Sequence, residues 1–70
     1  MFEEYQLVKL NRDLLAEGLQ AGIRGTILVI YPGQPRFYEV EFLDDEGNTL
    51  AVITLPEELL SSSEARGVEG

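Results

Sequence analysis

The clearest alternation of polar and apolar positions in the chain runs from Arg36 to Leu43. One set of alternate positions is large and apolar, and the other is mixed. The two sets are Tyr38, Val40 and Phe42 on one face, and Phe37, Glu39, Glu41 and Leu43 on the other. Because successive side chains of a strand point to opposite faces of the sheet, the first set is predicted to be core and the second largely solvated.

Three further segments have the residue types of strands, namely Tyr5 to Leu10, Thr26 to Tyr31 and Thr49 to Leu55. The last two are apolar on both faces. In the third, Leu50 and Val52 share one face, and the other carries Ala51, Ile53 and Leu55. A small sheet cannot bury both sides of its strands, so we expect one apolar face to be covered by loops or by another chain.

The segments between the predicted strands have the composition of turns. The segment from Asn11 to Gly25 is predicted to form a long first loop. A helical turn is expected within it at 14–17, which Asn11 or Asp13 could cap. Asp44 to Asn48 is a hairpin connection, and Pro56 is predicted to begin a second helical turn that reaches Leu60. Four glycines are predicted to serve turns: Gly18, Gly22, Gly25 and Gly47.

These elements predict one all-β domain over residues 1–60, followed by a flexible polar tail over 61–70. Four antiparallel strands, with room for a short fifth, curl readily into a small barrel.

Three stretches together resemble a known family: 18–26 (GLQAGIRGT), 38–42 (YEVEF) and 50–56 (LAVITLP). The family comprises short bacterial proteins, often cyanobacterial, catalogued as domain of unknown function 4926, and the resemblance covers roughly residues 4 to 60. The family is similar in pattern to SH3-like barrels, which also place Gly-x-x-Gly before a strand. The resemblance therefore implies an SH3-like barrel of four to five antiparallel strands and implies no function.

The charge of the chain narrows the choice of partner. Five Lys and Arg stand against 13 Asp and Glu, for a formal net charge of −8 over 70 residues. Phosphate backbones are bound by clustered cations, which this chain lacks, so nucleic acid and anionic membranes are disfavoured. A basic protein partner is easier to accommodate. Since no apolar run is long enough for a membrane span and no signal peptide is evident, we expect a cytoplasmic protein.

Candidate chemistry is sparse, because the chain has neither histidine nor cysteine. Glu39 and Glu41 lie about 7 Å apart along one strand face, but solvated outer glutamates explain them better than a catalytic pair. The acidic hairpin at 44–48 favours a solvated turn over a weak calcium site. Neither Lys9 nor the serines at 61–63 has an activating base. We expect no enzyme, no cofactor and no metal.

The partner surface is predicted on the mixed strand faces. It comprises Phe37, Glu39, Glu41, Leu43, Leu50 and Val52, and the first loop from Arg12 to Arg24 is the alternative surface. The leading hypothesis is a protein-binding module, either an accessory protein or a neutralising partner of the antitoxin or immunity type. A self-associating structural domain, forming a homodimer, is the second hypothesis, and a nucleic-acid-binding barrel is the third.

Overall fold

A computed structural model describes residues 1–63 of the chain, and these residues form one five-stranded antiparallel sheet. The strands are β1 (Leu7–Leu10), β2 (Arg24–Tyr31), β3 (Phe37–Leu43), β4 (Thr49–Pro56) and β5 (Leu60–Ser62). The helical elements are two 3₁₀ turns, Leu15–Glu17 and Glu57–Leu59. The predicted all-β fold is confirmed.

The strand order is β4-β3-β2-β1-β5, and the sheet contains the five antiparallel strands that were expected. A long loop joins β1 to β2, and a 3₁₀ turn separates β4 from β5, which returns to pair with β1. Within residues 1–63, no ladder joins β4 to β5, so the sheet bends around its core without closing. The edges of the sheet are therefore β4 and β5.

One face of the sheet holds the core. Tyr38, Val40 and Phe42 are fully buried, as their alternation predicted. The register pairs Val40 with Ile27 of β2 and with Ile53 of β4, which places one apolar row across the three long strands. Among residues 1–63, nine hydrophobic side chains are buried: Val8, Leu10, Leu19, Ile27, Tyr38, Val40, Phe42, Leu55 and Leu60.

Two bulges shift the alternation of the long strands. Leu28 has no partner in the ladder between β2 and β3, and Leu50 has no partner in the ladder between β3 and β4. A bulge places two residues opposite one, so the strand beyond it continues with its faces exchanged. Because of the first bulge, Ile27 and Ile30 both reach the core side although they are three residues apart.

Gly25 is not a turn residue, contrary to the sequence-based prediction. It lies inside β2 opposite Phe42, whereas Gly18, Gly22 and Gly47 have positive φ angles. A Cβ atom on Gly25 would stand 2.7 Å from Val40 Cγ1 and 2.9 Å from the Glu41 carbonyl oxygen. Glycine is needed at this position because the two strands approach closely there, and no local sequence pattern distinguishes that need from a turn.

The first loop is held differently from the prediction. The first 3₁₀ turn follows Leu14 and has no side-chain cap. The Asp13 carboxylate instead accepts a hydrogen bond from the Ala21 amide at 2.8 Å, which fastens the two ends of the loop together. Capping failed as a prediction because this longer-range donor offers Asp13 a partner within the folded loop.

Asn11 joins the loop to the end of the chain. Its side-chain amide donates to the Glu58 carbonyl at 3.1 Å, and its side-chain oxygen accepts a hydrogen bond from the Ser61 hydroxyl. Asn11 therefore fixes the second 3₁₀ turn and the start of β5 against the end of β1.

The predicted tail and second turn also need correction. Ser61 and Ser62 pair with Lys9 and Val8 as part of β5, because β1 has a free edge whose backbone groups require partners. Pro56 is the extended last residue of β4, and the turn begins after it. Residues 64–70 of the predicted tail lie outside the described residues. Neither 3₁₀ turn, at three residues, is a helix that could cross a membrane.

We predict that Gly25→Ala destabilises the protein by about 1–3 kcal/mol, the usual cost of adding a methyl group to a filled site. The matched control is Gly47→Ala, because a Cβ atom at that position would contact no other atom. This variant should lose only the roughly 1 kcal/mol that an alanine costs at a positive φ angle. Urea unfolding at neutral pH measures both variants. If Gly25→Ala is as stable as the wild type, the close approach of β2 and β3 does not constrain the fold.

Candidate functional site

The solvent-facing side of β2, β3 and β4, which we call the outer face, carries five exposed large apolar side chains. Its exposed members are Val29 (38%), Tyr31 (43%), Phe37 (38%), Leu50 (49%) and Val52 (49%). The register places Tyr31 directly opposite Phe37. Single exposed apolar side chains are common, but several on adjacent strands of one face make the outer face a candidate binding surface.

Two carboxylates stand on the central strand of the outer face. Glu39 lies between Val29 and Thr54, and Glu41 lies opposite Val52. Both glutamates are half-buried. The outer face therefore combines apolar side chains with negative charge in neighbouring rows.

Hydroxyl groups of adjacent strands hold both carboxylates. Tyr31 donates to Glu39 Oε1 at 3.1 Å, and Thr49 donates to Glu41 Oε2. The hydrogen bond to Glu39, with smaller effects of desolvation and of the carboxylate charge, raises the pKa of Tyr31 above its ordinary value of 10.0. Tyr31 therefore remains a neutral donor at physiological pH.

Five of the six predicted surface residues come together on the outer face: Phe37, Glu39, Glu41, Leu50 and Val52. Leu43 lies on the same side of β3, but it is half-buried at the strand end and lines a recess with Leu7 and Ile23. The sequence analysis did not include Val29 in the surface. The bulge at Leu28 turns Val29 outward, and the even apolar run of β2 carries no signal for a bulge.

The alternative surface, the first loop, contains one strongly exposed apolar side chain. Leu15 is 83% exposed, whereas Leu19 is buried in the core and forms an isolated bridge with Leu14. The loop is thus anchored to the core and presents Leu15 alone, which makes it a weaker candidate than the outer face.

The acidic hairpin at 44–48 uses its own donors to satisfy Asp44. The Asp44 Oδ1 atom accepts backbone hydrogen bonds from Glu46 at 2.9 Å and from Asn48 at 2.8 Å. These bonds, the one from Asn48 first, lower the pKa of Asp44 below its ordinary value of 3.8. Within residues 1–63, no group of three or more acidic side chains is arranged to hold a metal ion.

Residues 1–63 also border two shallow recesses. One, of about 570 Å³, is bordered by the loop at 33–36, by Met1 and by the second 3₁₀ turn. There the Met1 amine is 2.7 Å from Glu57, and Arg36 Nε is 4.0 Å from the same carboxylate. The hydrogen bond from the amine is the main cause that lowers the pKa of Glu57, so the charges of this recess are largely paired with each other.

The second recess, of about 520 Å³, lies between the end of the first loop and the hairpin. Apolar side chains of Leu7, Ile23 and Leu43 line it, together with Arg24 and Asp45 at its rim. Neither recess brings Lys9 or the serines at 61–63 beside an activating group, because none of these residues borders it.

Comparison with known proteins identifies a family. Residues 4–62, which are 59 of the 70 residues, match the family model described as "Domain of unknown function (DUF4926)". The resemblance inferred from the three sequence stretches is confirmed. A comparison with curated protein sequences found no match.

We predict that Asp44→Asn makes stability less sensitive to acid. Because the pKa of Asp44 is lowered by folding, its contribution is present above its ordinary value of 3.8 and is lost as the pH falls through the lower folded-state value. The wild type should therefore lose more stability than Asp44→Asn between pH 7 and strongly acidic pH, as measured by urea unfolding.

The control for this prediction is Asp45→Asn, which removes the same charge from the adjacent residue. Within residues 1–63, the Asp45 side chain makes no hydrogen bond and no ion pair. The pH dependence of this variant should follow the wild type. Equal pH dependence in all three proteins would show that the hairpin hydrogen bonds do not stabilise the fold.

Proposed function

The chain belongs to the family described as domain of unknown function (DUF4926), and from its geometry we propose that it is a non-catalytic protein-binding module. The observation that carries the proposal is the outer face, where five apolar side chains are 38–49% exposed on three adjacent strands. Covering such side chains releases water from apolar surface, which is the main source of favourable free energy in protein association.

The charge of the outer face indicates the chemistry of the partner. Glu39 and Glu41 form no ion pair within residues 1–63, where both ion pairs involve Glu57. The net charge of −8 adds a long-range attraction for cations. The partner we propose has an apolar contact surface with Lys or Arg around it.

This chemistry suits an accessory protein or a neutralising partner of a basic protein, such as the antitoxin or immunity protein of a toxin pair. Complementary charge speeds the association of two proteins and discriminates against wrong partners. A small acidic module that must find one basic protein rapidly in the cytoplasm would gain from both effects.

A second copy of the chain is the alternative occupant of the outer face. One observation favours it: β4 is an edge strand whose residues 49–55 carry no charge. The carboxylates of Glu39 and Glu41 disfavour it, because each copy would bring like charges to the same interface. Nucleic acid is opposed by the same carboxylates, and the outer face supplies no cluster of cations.

We predict that Val52→Lys weakens partner binding roughly tenfold or more, the size of effect expected for a central contact residue. The new amine would lie opposite Glu41, where it replaces apolar surface and neutralises part of the negative charge. The measurement is retention of proteins from a lysate of the source cell on immobilised wild type and variants, followed by titration of the retained protein.

The matched control is Leu15→Lys, which makes the same change of residue at a site 83% exposed in the first loop. Circular dichroism and urea unfolding confirm that both variants fold. If Val52→Lys loses the partner and Leu15→Lys retains it, the result supports the outer face as the binding surface. Selective loss with Leu15→Lys would transfer binding to the first loop, and equal retention by all three proteins would rule out both surfaces.

A further inference from the structure

The free edge of β4 is a second feature of the same region. We propose that this edge binds an extended segment of the partner as a sixth strand, and that the segment alternates apolar residues with Lys or Arg. The proposal rests on the proposed function and specifies how the partner is held. In such strand addition, backbone hydrogen bonds supply affinity and alternate side chains supply specificity.

The register shows which backbone groups are available. The Glu57 amide donates to the Arg36 carbonyl at 3.0 Å, so these residues form a hydrogen-bonded pair at the end of the β3–β4 ladder. In an antiparallel ladder such pairs alternate with non-bonded ones. The residues of β4 that bond to β3 are therefore Leu55, Ile53 and Ala51. Val52 and Thr54 direct their N–H and C=O groups to the free edge.

After the bulge at Leu50, the free edge of β4 lacks the usual protection against pairing. Proteins shield edge strands with charges, prolines, bulges or short length. Residues 49–55 of β4 contain neither a charge nor a proline, and Pro56 stands only at the end of the eight-residue strand. The opposite edge, β5, has three residues and is thus short enough to be safe. The contrast indicates that β4 is kept open for a partner.

The outer face selects the side chains of the added strand. Glu39 is the cross-strand neighbour of Thr54, and Glu41 is the neighbour of Val52. An added strand would lie about 10 Å from β3, two strand spacings away. A lysine or arginine on its outward side can reach back over β4 to these carboxylates. Apolar residues between the cations would extend the core side next to Ile53 and Ala51.

Charge also decides between a partner segment and a second copy. Pairing β4 with its own copy would place two uncharged strands together, with Glu39 and Glu41 of both copies flanking them on the outer faces. No cation on either β4 would compensate these charges. A basic segment compensates them, so we assign the edge to a different chain.

The test uses the full chain and an eight-residue peptide of alternating valine and lysine, acetylated and amidated at its ends. Residue-resolved amide hydrogen exchange by NMR is the readout. In the free protein, the amides of Val52 and Thr54 should exchange rapidly, whereas those of Ala51, Ile53 and Leu55 are protected by β3. At saturating peptide, the exchange of Val52 and Thr54 should slow at least tenfold.

Three outcomes would overturn strand addition. If outer-face resonances shift while the Val52 and Thr54 amides remain unprotected, binding uses the face alone, and the proposed function survives without the edge. If the two amides become protected by raising the protein concentration without peptide, a second copy occupies the edge. If millimolar peptide changes neither resonances nor exchange, the edge does not accept such a segment, whatever the lysate experiment shows.

A proline substitution tests the edge from the side of the protein. The Thr54 amide is not used in the ladder with β3, so Thr54→Pro should fold and should bind the peptide at least tenfold more weakly. Thr54→Ala, the matched control, keeps the amide and should bind the peptide at least tenfold more tightly than Thr54→Pro. Equal affinity of folded Thr54→Pro and Thr54→Ala would overturn the proposal.

A modified peptide makes the test independent of the folding of Thr54→Pro. N-methylation of every backbone nitrogen preserves the charge and the side chains of the peptide and removes its backbone donors. This peptide should bind at least tenfold more weakly than the unmodified one. Equal affinity would mean that charge and side chains alone hold it, which contradicts strand addition.

Discussion

The row of Ile27, Val40 and Ile53 crosses the three long strands on the side that faces the core, and its burial orients the rest of the sheet. Within residues 1–63 there is no long helix to form a second layer. The sheet must therefore bend over itself, with Leu19 and Leu60 completing the cluster. A chain of this size can cover one face of its sheet in this way and has little left for the other.

The uncovered face follows from that constraint, but its composition does not. In β3, the outward positions carry Glu39 and Glu41, as solvation favours. In β2 and β4, the corresponding positions carry Val29 and Val52, although polar residues there would cost the core nothing. Apolar residues at solvent-facing positions next to a free edge strand are the pattern expected of a surface that another protein covers.

The sequence was most informative where local pattern and tertiary structure agree. Strict alternation identified the buried face of β3, and the alternation of β4 assigned Leu50 and Val52 to one side. The side itself became known only from the register, since a slip of one residue would exchange the faces. The bulge at Leu28 could not be foreseen, because a continuous apolar run looks the same with or without an extra residue.

Contacts distant in sequence account for the remaining errors. Gly25 is required by the approach of β3, and Ser61 enters β5 because Asn11 and the edge of β1 offer it partners. Neither requirement leaves a trace in the neighbouring residues. Glycine in a loop-like stretch and a run of serines have the composition of turns and tails, and the pairing that overrides this composition is supplied by the fold.

Charge specifies the chemistry of the proposed partner more closely than apolar area does. Apolar surface attracts any apolar surface, so the exposed valines and aromatic rings cannot by themselves distinguish a second copy from another protein. The carboxylates of Glu39 and Glu41 can make this distinction. The hydroxyls of Tyr31 and Thr49 hold them on the outer face, and each hydroxyl donates to one carboxylate oxygen. Within residues 1–63, the second oxygen of each carboxylate accepts no hydrogen bond and joins no ion pair, so it can accept from a cationic donor. A partner that buries the apolar side chains without supplying such a donor would leave two desolvated charges uncompensated, and this cost is why the partner we propose is basic.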